Sequence, residues 1–368
     1  MPSDRARPVT LQAVAHELGV SAKTVSNAFS RPDQLSASLR EQVLATARRL
    51  GYPGPNPLAA GLRRGRVGAI GVAYDNGLSY AFDDPVAVEF LAGASAVAEP
   101  AGAGLLLVPG STDPRRRLAA LSSAVVDGLV ISSLSDDDPL LAAAIARGLP
   151  LVVVDQPRPD RLAALGAPGT PWVGVDDRAA AAAVAGHLLD LGHRRLAVVS
   201  FGMHHDPIAP GLVDEQAQAA ATYAVTRDRM AGYRDAGVRA GLDWAGVPVF
   251  HGGDSTPEVG AAGAAAVLAT DPTPTALLCL SDRLAEGALR AAADLGLRVP
   301  EDLSVAGFDD ATPAAGLGLT TVRQPTRLKG RTAARDLLDR LAGRPVPGPR
   351  VLPTELVVRT STGPAPVS

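Results

Sequence analysis

From residue 67 to residue 307, short runs of Val, Ile and Leu recur between Ala-rich stretches. This alternation restricts the chain to parallel sheets covered on both faces by helices. Strands are expected at 67–72, 105–108, 128–131, 151–154, 173–175, 196–199, 247–250, 276–279 and 304–307. Helices are expected between them, among them 85–98, 177–191, 226–240 and 282–295. So many units exceed one ordinary sheet, and the pattern divides near residue 172 into two similar halves. Two doubly wound lobes facing each other leave a cleft at the carboxyl ends of their strands, where such sheets bind ligands.

The remaining constraints come from composition. Apolar residues make up 46% of the 368 and charged residues 20%, as in a globular protein with a real core. Every long apolar run is broken well short of the ~20 residues that a bilayer span needs. Met1-Pro-Ser-Asp-Arg5 opens with charge and lacks the apolar run of a signal peptide, so a cytoplasmic protein is expected. A single cysteine, Cys279, excludes an internal disulfide and a Cys-based zinc site. Charge is unevenly spread. Residues 1–66 carry ten basic and four acidic groups, a net +6, which leaves −9 for the rest of a chain whose total is −3. A basic head on an acidic body is expected where only the head meets phosphate.

That head has its own pattern. Thr10 can cap a short helix whose Leu11, Val14, Ala15 and Leu18 share a face, and Gly19 ends it. Ser21 caps a second helix over 22–28, with Val25 as its inward residue. The short Gly-containing gap is helix-turn-helix spacing. A third helix carries Leu39, Val43, Ala47 and Leu50 on one face, with Ser38 and Glu41 as a capping-box pair and Gly51 as the stop.

Val9-Thr-Leu-Gln-Ala-Val-Ala-His-Glu-Leu-Gly-Val-Ser-Ala-Lys-Thr-Val-Ser-Asn27 closely resembles the headpiece of the lac repressor/galactose repressor family. So does Leu50-Gly-Tyr-Pro-Gly-Pro-Asn-Pro-Leu-Ala-Ala-Gly-Leu62, and the resemblance runs over essentially the whole chain. It implies a small all-α helix-turn-helix headpiece joined to an α/β two-lobed periplasmic-binding-protein-like core of two doubly wound parallel sheets. It also implies that Ala22, Lys23 and Asn27 face bases. Lysine suits guanine and asparagine adenine, while Ala22 can only meet a thymine methyl. Thr10, Ser21, Thr24 and Ser26 would hold phosphates and set register. Residues 53–66, read alone, are a Pro/Gly-rich linker. By resemblance they become a hinge helix that starts near Asn56 and wedges Leu62 into the minor groove. Gly54 stands as an insertion, and Gly61 should weaken the hinge helix by ~1 kcal/mol relative to Ala.

Enzyme signatures are missing from the string. It has no Gly-x-x-x-x-Gly-Lys-Ser/Thr, no Gly-x-Ser-x-Gly and no His-Glu-x-x-His, and Gly102-Ala-Gly104 lacks the rest of a dinucleotide fingerprint. Cys279 sits in a strand, where a thiol is inert packing. His204, His205 and His251 lack metal-ligand spacing and read as solvated loop residues. No catalytic group, cofactor or metal is therefore expected. Asp155, Ser281-Asp282 and Asp309-Asp310 instead follow strands, at the cleft, with Asp282 read as the cap of the next helix. The resemblance places Ser281 and Asp309 at ligand contacts and Arg229 as the arginine that grips ligand hydroxyls. Tyr80 and Phe82 lie just past the first strand, where an aromatic ring can stack on a sugar.

The resulting expectation is a homodimeric repressor that binds double-stranded operator DNA and senses a small-molecule effector, a sugar or, alternatively, a nucleoside or purine corepressor. A solute-binding protein would need an export signal and no basic head, and a sugar-modifying enzyme would need catalytic groups in the cleft. The expected boundaries are 1–54 for the headpiece, 55–66 for the hinge and 67–368 for the core. The first lobe would hold about 67–171 and 319–348, and the second about 172–318 and 349–362. Residues 356–368 have no heptad leucines, so no C-terminal coiled coil is expected.

Overall fold

The computed structural model describes residues 9–54, 66–75, 77–110, 113–205 and 208–367. Two compact units divide between Gly68 and Ala69.

The first unit holds α1 (Leu11–Leu18), α2 (Ala22–Ser30) and α3 (Ala37–Leu50). Thr10 caps α1 by accepting from the Ala13 N–H, and Ser21 caps α2 by accepting from the Thr24 N–H at 3.0 Å. Gly19 and Gly51 close α1 and α3 in the left-handed conformation, as their positions imply. The capping-box reading of Ser38 and Glu41 is corrected. Ser36 caps α3 by accepting from the Leu39 N–H, and Ser38 lies within the first turn. Leu35, just ahead of that cap, packs on the small core of Val14, Val25 and Val43 and so sets where the helix begins.

The second unit contains two sheets. The first has the order β12-β5-β4-β3-β1-β2, all parallel. Its strands are β1 (Ala69–Tyr74), β2 (Gly104–Val108), β3 (Gly128–Ser132), β4 (Leu151–Val154), β5 (Trp172–Val175) and β12 (Arg350–Leu352). The second has the order β10-β9-β6-β8-β7, with β6 (Leu196–Ser200), β8 (Val249–His251), β9 (Ala276–Cys279) and β10 (Ser304–Ala306) parallel. The two-residue β7 (Gly211–Leu212) runs antiparallel on its edge. An antiparallel pair, β11 (Thr321–Arg323) with β13 (Glu355–Val357), forms a separate ribbon. The expected crossing points move accordingly. Residues 172–175 and 350–352 hydrogen-bond within the first sheet, so the chain leaves that lobe after Val175 and after Leu352 rather than at 172 and 349.

Helices cover both faces. They are α4 (Leu78–Asp83), α5 (Pro85–Ala98), α6 (Pro114–Ser123), α7 (Pro139–Ala146) and α8 (Pro159–Ala164), then α9 (Asp177–Asp190), α10 (Glu215–Ala219) and α11 (Ala224–Arg239). After these come α12 (Pro257–Leu268), α13 (Asp282–Asp294) and α14 (Thr326–Leu341). The period of two along a strand assigns each residue to one of two cores in the first lobe. Val72, Val130 and Val152 pack on one face, and Leu129, Ile131 and Val153 on the other. In the second lobe α12 and α13 pack backbone to backbone. A Cβ on Gly260 would overlap the Leu284 carbonyl, and one on Gly287 would overlap that of Pro257.

Candidate functional site

The carboxyl ends of the central strands converge, as the alternating pattern requires, on a cleft between the sheets with a cavity volume of about 230 Å³. Asp75 follows β1, Ser133 follows β3, Asp155 follows β4, Ser281 follows β9 and Asp309 follows β10. Three of these residues, Ser133, Asp155 and Asp309, hold positive φ angles of 64°, 59° and 127°. Such backbone costs of order 1–3 kcal/mol per residue and clusters where a ligand must be met.

Four of the six expected ligand residues lie on the wall through polar groups, Asp155, Arg229, Ser281 and Asp309, and Tyr80 adds an aromatic ring. Phe82 does not. It is 61% exposed, because α4 turns about 100° per residue and carries position 82 to the far side from Tyr80. Asp282 is also corrected as the α13 cap. Ser281 caps α13 by accepting from the Leu284 N–H, while the buried Asp282 carboxylate accepts from the Thr321 hydroxyl and the Ala311 N–H. Burial raises the Asp282 pKa to about 6.

A chain of polar side chains crosses the cleft floor. The Lys329 ammonium donates to Asp155 Oδ1 at 2.6 Å and to Gln324 Oε1, and Gln324 Nε2 donates to Asp309 Oδ1 at 2.6 Å. Burial holds the Asp309 carboxyl well above its ordinary range, although the Arg229 charge opposes this. Arg229 is 5% exposed and rigidly held. Its Nε donates to Asp177 Oδ1 at 2.9 Å, its Nη1 donates to the Leu280 carbonyl, and its plane lies 3.6 Å from the Phe308 ring centroid. Burial alone would raise the Asp177 pKa, but the charges of Arg229, Lys329 and Arg158 lower it.

A second network sits where the lobes meet. Arg117 Nη2 donates to Asp75 Oδ1 at 2.9 Å and to Asp138, and Nη1 lies 3.3 Å from His205 Nε2. The Tyr223 hydroxyl donates to the other Asp75 oxygen. Asp75, Asp138 and His205 gather as cation ligands can, yet the Arg117 guanidinium already bonds both carboxylates and supplies the compensating charge. His205 is thus packed in a network and His251 is buried on β8, so neither is the solvated loop residue expected.

Sequence reasoning missed Asp75, Gln324 and Lys329. Asp75 ends a strand in the same way as Asp155 and was open to the same argument. Lys329 lies on α14, and its reach to Asp155 spans 174 positions, a contact that no local pattern carries. Cys279 is fully buried in β9, and desolvation raises its thiol pKa, consistent with a packing role.

In the first unit, Ala22 and Lys23 stand exposed at the start of α2. The Ser21 and Thr24 hydroxyls bond each other at 2.8 Å, and Ser26 lies half-buried one turn on. Asn27 Nδ2 donates to Gln34 Oε1 at 3.1 Å. Asn56 and Leu62 lie outside the described residues.

A helix-turn-helix unit followed by a two-lobed α/β core with a polar cleft defines a ligand-responsive DNA-binding regulator. The periplasmic binding protein-like domain family matches residues 185–362. An HTH-type transcriptional regulator of Mycolicibacterium smegmatis is 41% identical over 367 residues, covering 97% of each chain. The structure of a transcriptional regulator CelR–cellobiose complex is 30% identical with a TM-score of 0.68, covering 96% of this chain and 100% of that one. The lac repressor dimer bound to operator and the anti-inducer ONPF is 28% identical with a TM-score of 0.75, covering 97% and 100%. The chain belongs to the lac repressor/galactose repressor family of transcriptional regulators. Its relatives are regulators rather than enzymes, and no helix among the described residues is long and apolar enough to cross a membrane.

Proposed function

We propose that this regulator acts in the cytoplasm as a homodimer on a pseudo-palindromic operator and that a small sugar bound in the cleft changes its hold on DNA. The observation that carries the effector half is Arg229, buried, oriented by Asp177 and set beside the Asp309 carboxylate at 3.7 Å. Its bonds use Nε and Nη1 and leave Nη2 for a ligand hydroxyl, while Asp155, Asp309 and Ser281 can accept hydrogen bonds from others. The CelR–cellobiose structure supports the same ligand class.

For DNA, residues 1–54 form the reading head and 55–66 the hinge. Lys23 and Asn27 read base edges, with Ala22 against a methyl group. Asn27 must exchange its bond to Gln34 for a base, or keep it as a brace. Thr10, Ser21, Thr24 and Ser26 fix phosphates, and the hinge from Asn56 carries Leu62 to the minor groove. Closure of the lobes on the effector would shift the population of DNA-competent dimers.

Gel retardation of DNA from upstream of the protein's own coding region is the test. A complex that weakens steeply with salt and responds to a sugar is expected, since several Lys/Arg–phosphate contacts are displaced by counterions. Absence of any complex at low salt would defeat the reading.

A further inference from the structure

We propose that Gln34, a residue outside α2, fixes the side-chain amide of Asn27 so that it reads adenine. This rests on the reading of Asn27 as a base contact and specifies what sets its choice of base. Asn27 stands four residues after Lys23 and so on the same face of α2. Its Nδ2 donates to Gln34 Oε1 at 3.1 Å. Gln34 ends a 3-10 turn, Pro32–Gln34, that follows α2. That turn is anchored at both ends. The Gln34 N–H donates to the Arg31 carbonyl at 3.0 Å, and the next residue, Leu35, packs on the core of Val14, Val25 and Val43. Gln34 therefore reaches back seven positions to α2 from a backbone that is already held.

Two carboxamides can pair either way round, and the direction decides what Asn27 shows to DNA. An asparagine side chain has two N–H donors and one carbonyl oxygen with two lone pairs. Here Asn27 is the donor, which commits one N–H and leaves the other beside a free Oδ1. A donor next to an acceptor matches the N7 and the N6 amino group of adenine. With the bond reversed, Asn27 would accept from Gln34 and turn both N–H groups outward, the pattern that suits N7 and O6 of guanine. Among the described residues no other side-chain bond holds either amide, so this one contact carries the choice. Because one N–H stays in reserve, Asn27 bonds the base without giving up the brace. An amide held before DNA arrives also loses less rotational freedom on binding than a free one does.

The test selects binding sites from a random duplex library with the full chain and with variants of it. Asn27→Ala marks the half-site position that Asn27 reads, as the one at which base preference disappears. The native protein should prefer adenine over guanine there by roughly fivefold or more, the lower end for a bidentate pair. Gln34→Glu keeps the acceptor and cannot donate at neutral pH, so the adenine preference should survive although the added charge weakens binding overall. Gln34→Met removes the acceptor and should flatten preference at that position alone. Gln34→Lys can only donate, so it should move the preference from adenine towards guanine. Adenine preference that persists in Gln34→Met or Gln34→Lys overturns the proposal, as does its loss in Gln34→Glu. So does a native preference for another base at that position. Positions read by other residues are the internal control. A variant that loses those as well has lost the headpiece fold, and the remaining two then decide. If the native protein enriches no site, or Asn27→Ala leaves the motif intact, the base-contact reading itself falls and takes this proposal with it.

Discussion

The Tyr223 hydroxyl donates to the Asp75 carboxylate, tying the residue ahead of α11 in the second lobe to the end of β1 in the first. Arg117 holds the other Asp75 oxygen at 2.9 Å, so the acceptor is oriented by a guanidinium whose charge opposes the rise in pKa that burial causes. Both residues line the cavity. The bond thus links the two lobes at the edge of the cleft, beside any ligand that fills it.

Tyr223→Phe should weaken effector binding about tenfold, since a hydrogen bond to a charged group contributes about 1.5–3 kcal/mol and part of that is recovered by water. Calorimetry with whichever sugar stabilises the native protein reads the effect. Equal affinity in the two proteins would show that the lobes close without this bond.

Lys23→Ala should reduce operator affinity by roughly 1–3 kcal/mol while changing binding to unrelated DNA much less, as expected for a base-edge donor. Titrations at several salt concentrations supply the control. A uniform loss, with the salt slope reduced by about 0.9, would reassign Lys23 to a phosphate.

Asp282 predicts a pH dependence. Burial raises its folded pKa to about 6, above the roughly 3.9 of an unfolded aspartate. The stability it contributes is therefore fully present below about pH 4 and is lost as pH rises through about 6, amounting to as much as about 3 kcal/mol. Asp282→Asn cannot titrate, and its amide can still accept from the Ala311 N–H and donate to the Thr321 hydroxyl, so it should melt close to the native protein at pH 4. It should melt increasingly above the native protein as pH approaches 7. A gap that stays constant across melts in this range would contradict the assigned shift.

Gly287→Ala separates packing from propensity by sign. On an open helix, alanine would stabilise by about 1 kcal/mol. Here its Cβ would overlap the Pro257 carbonyl, and forcing α12 from α13 should cost about 1–3 kcal/mol. Chemical denaturation gives the answer directly, and a more stable variant would mean the helices are not in contact.

Much of this protein was legible before folding because its signals are local. The caps Thr10 and Ser21 and the stops Gly19 and Gly51 each act within one turn, and all four stand where their residue types put them. The strands at 151–154 and 276–279 keep their expected limits, since a continuous run of apolar residues buried on both faces has few other uses. Where two neighbouring residues compete for one cap, local reasoning erred. Ser36 displaced Ser38, and Ser281 displaced Asp282, because packing decided where each helix began.

The sequence by itself determined the order of strands and helices, the helix-turn-helix pattern and the placing of Asp155, Ser281 and Asp309 at strand ends. Only the tertiary structure decided which of those groups are spoken for. Lys329 binds Asp155, Gln324 binds Asp309 and Asp177 orients Arg229, over separations of 174, 15 and 52 residues. Local pattern reports periodicity and capping. The charge left over in a cavity depends on which distant partners burial brings together, and only the folded chain contains that sum.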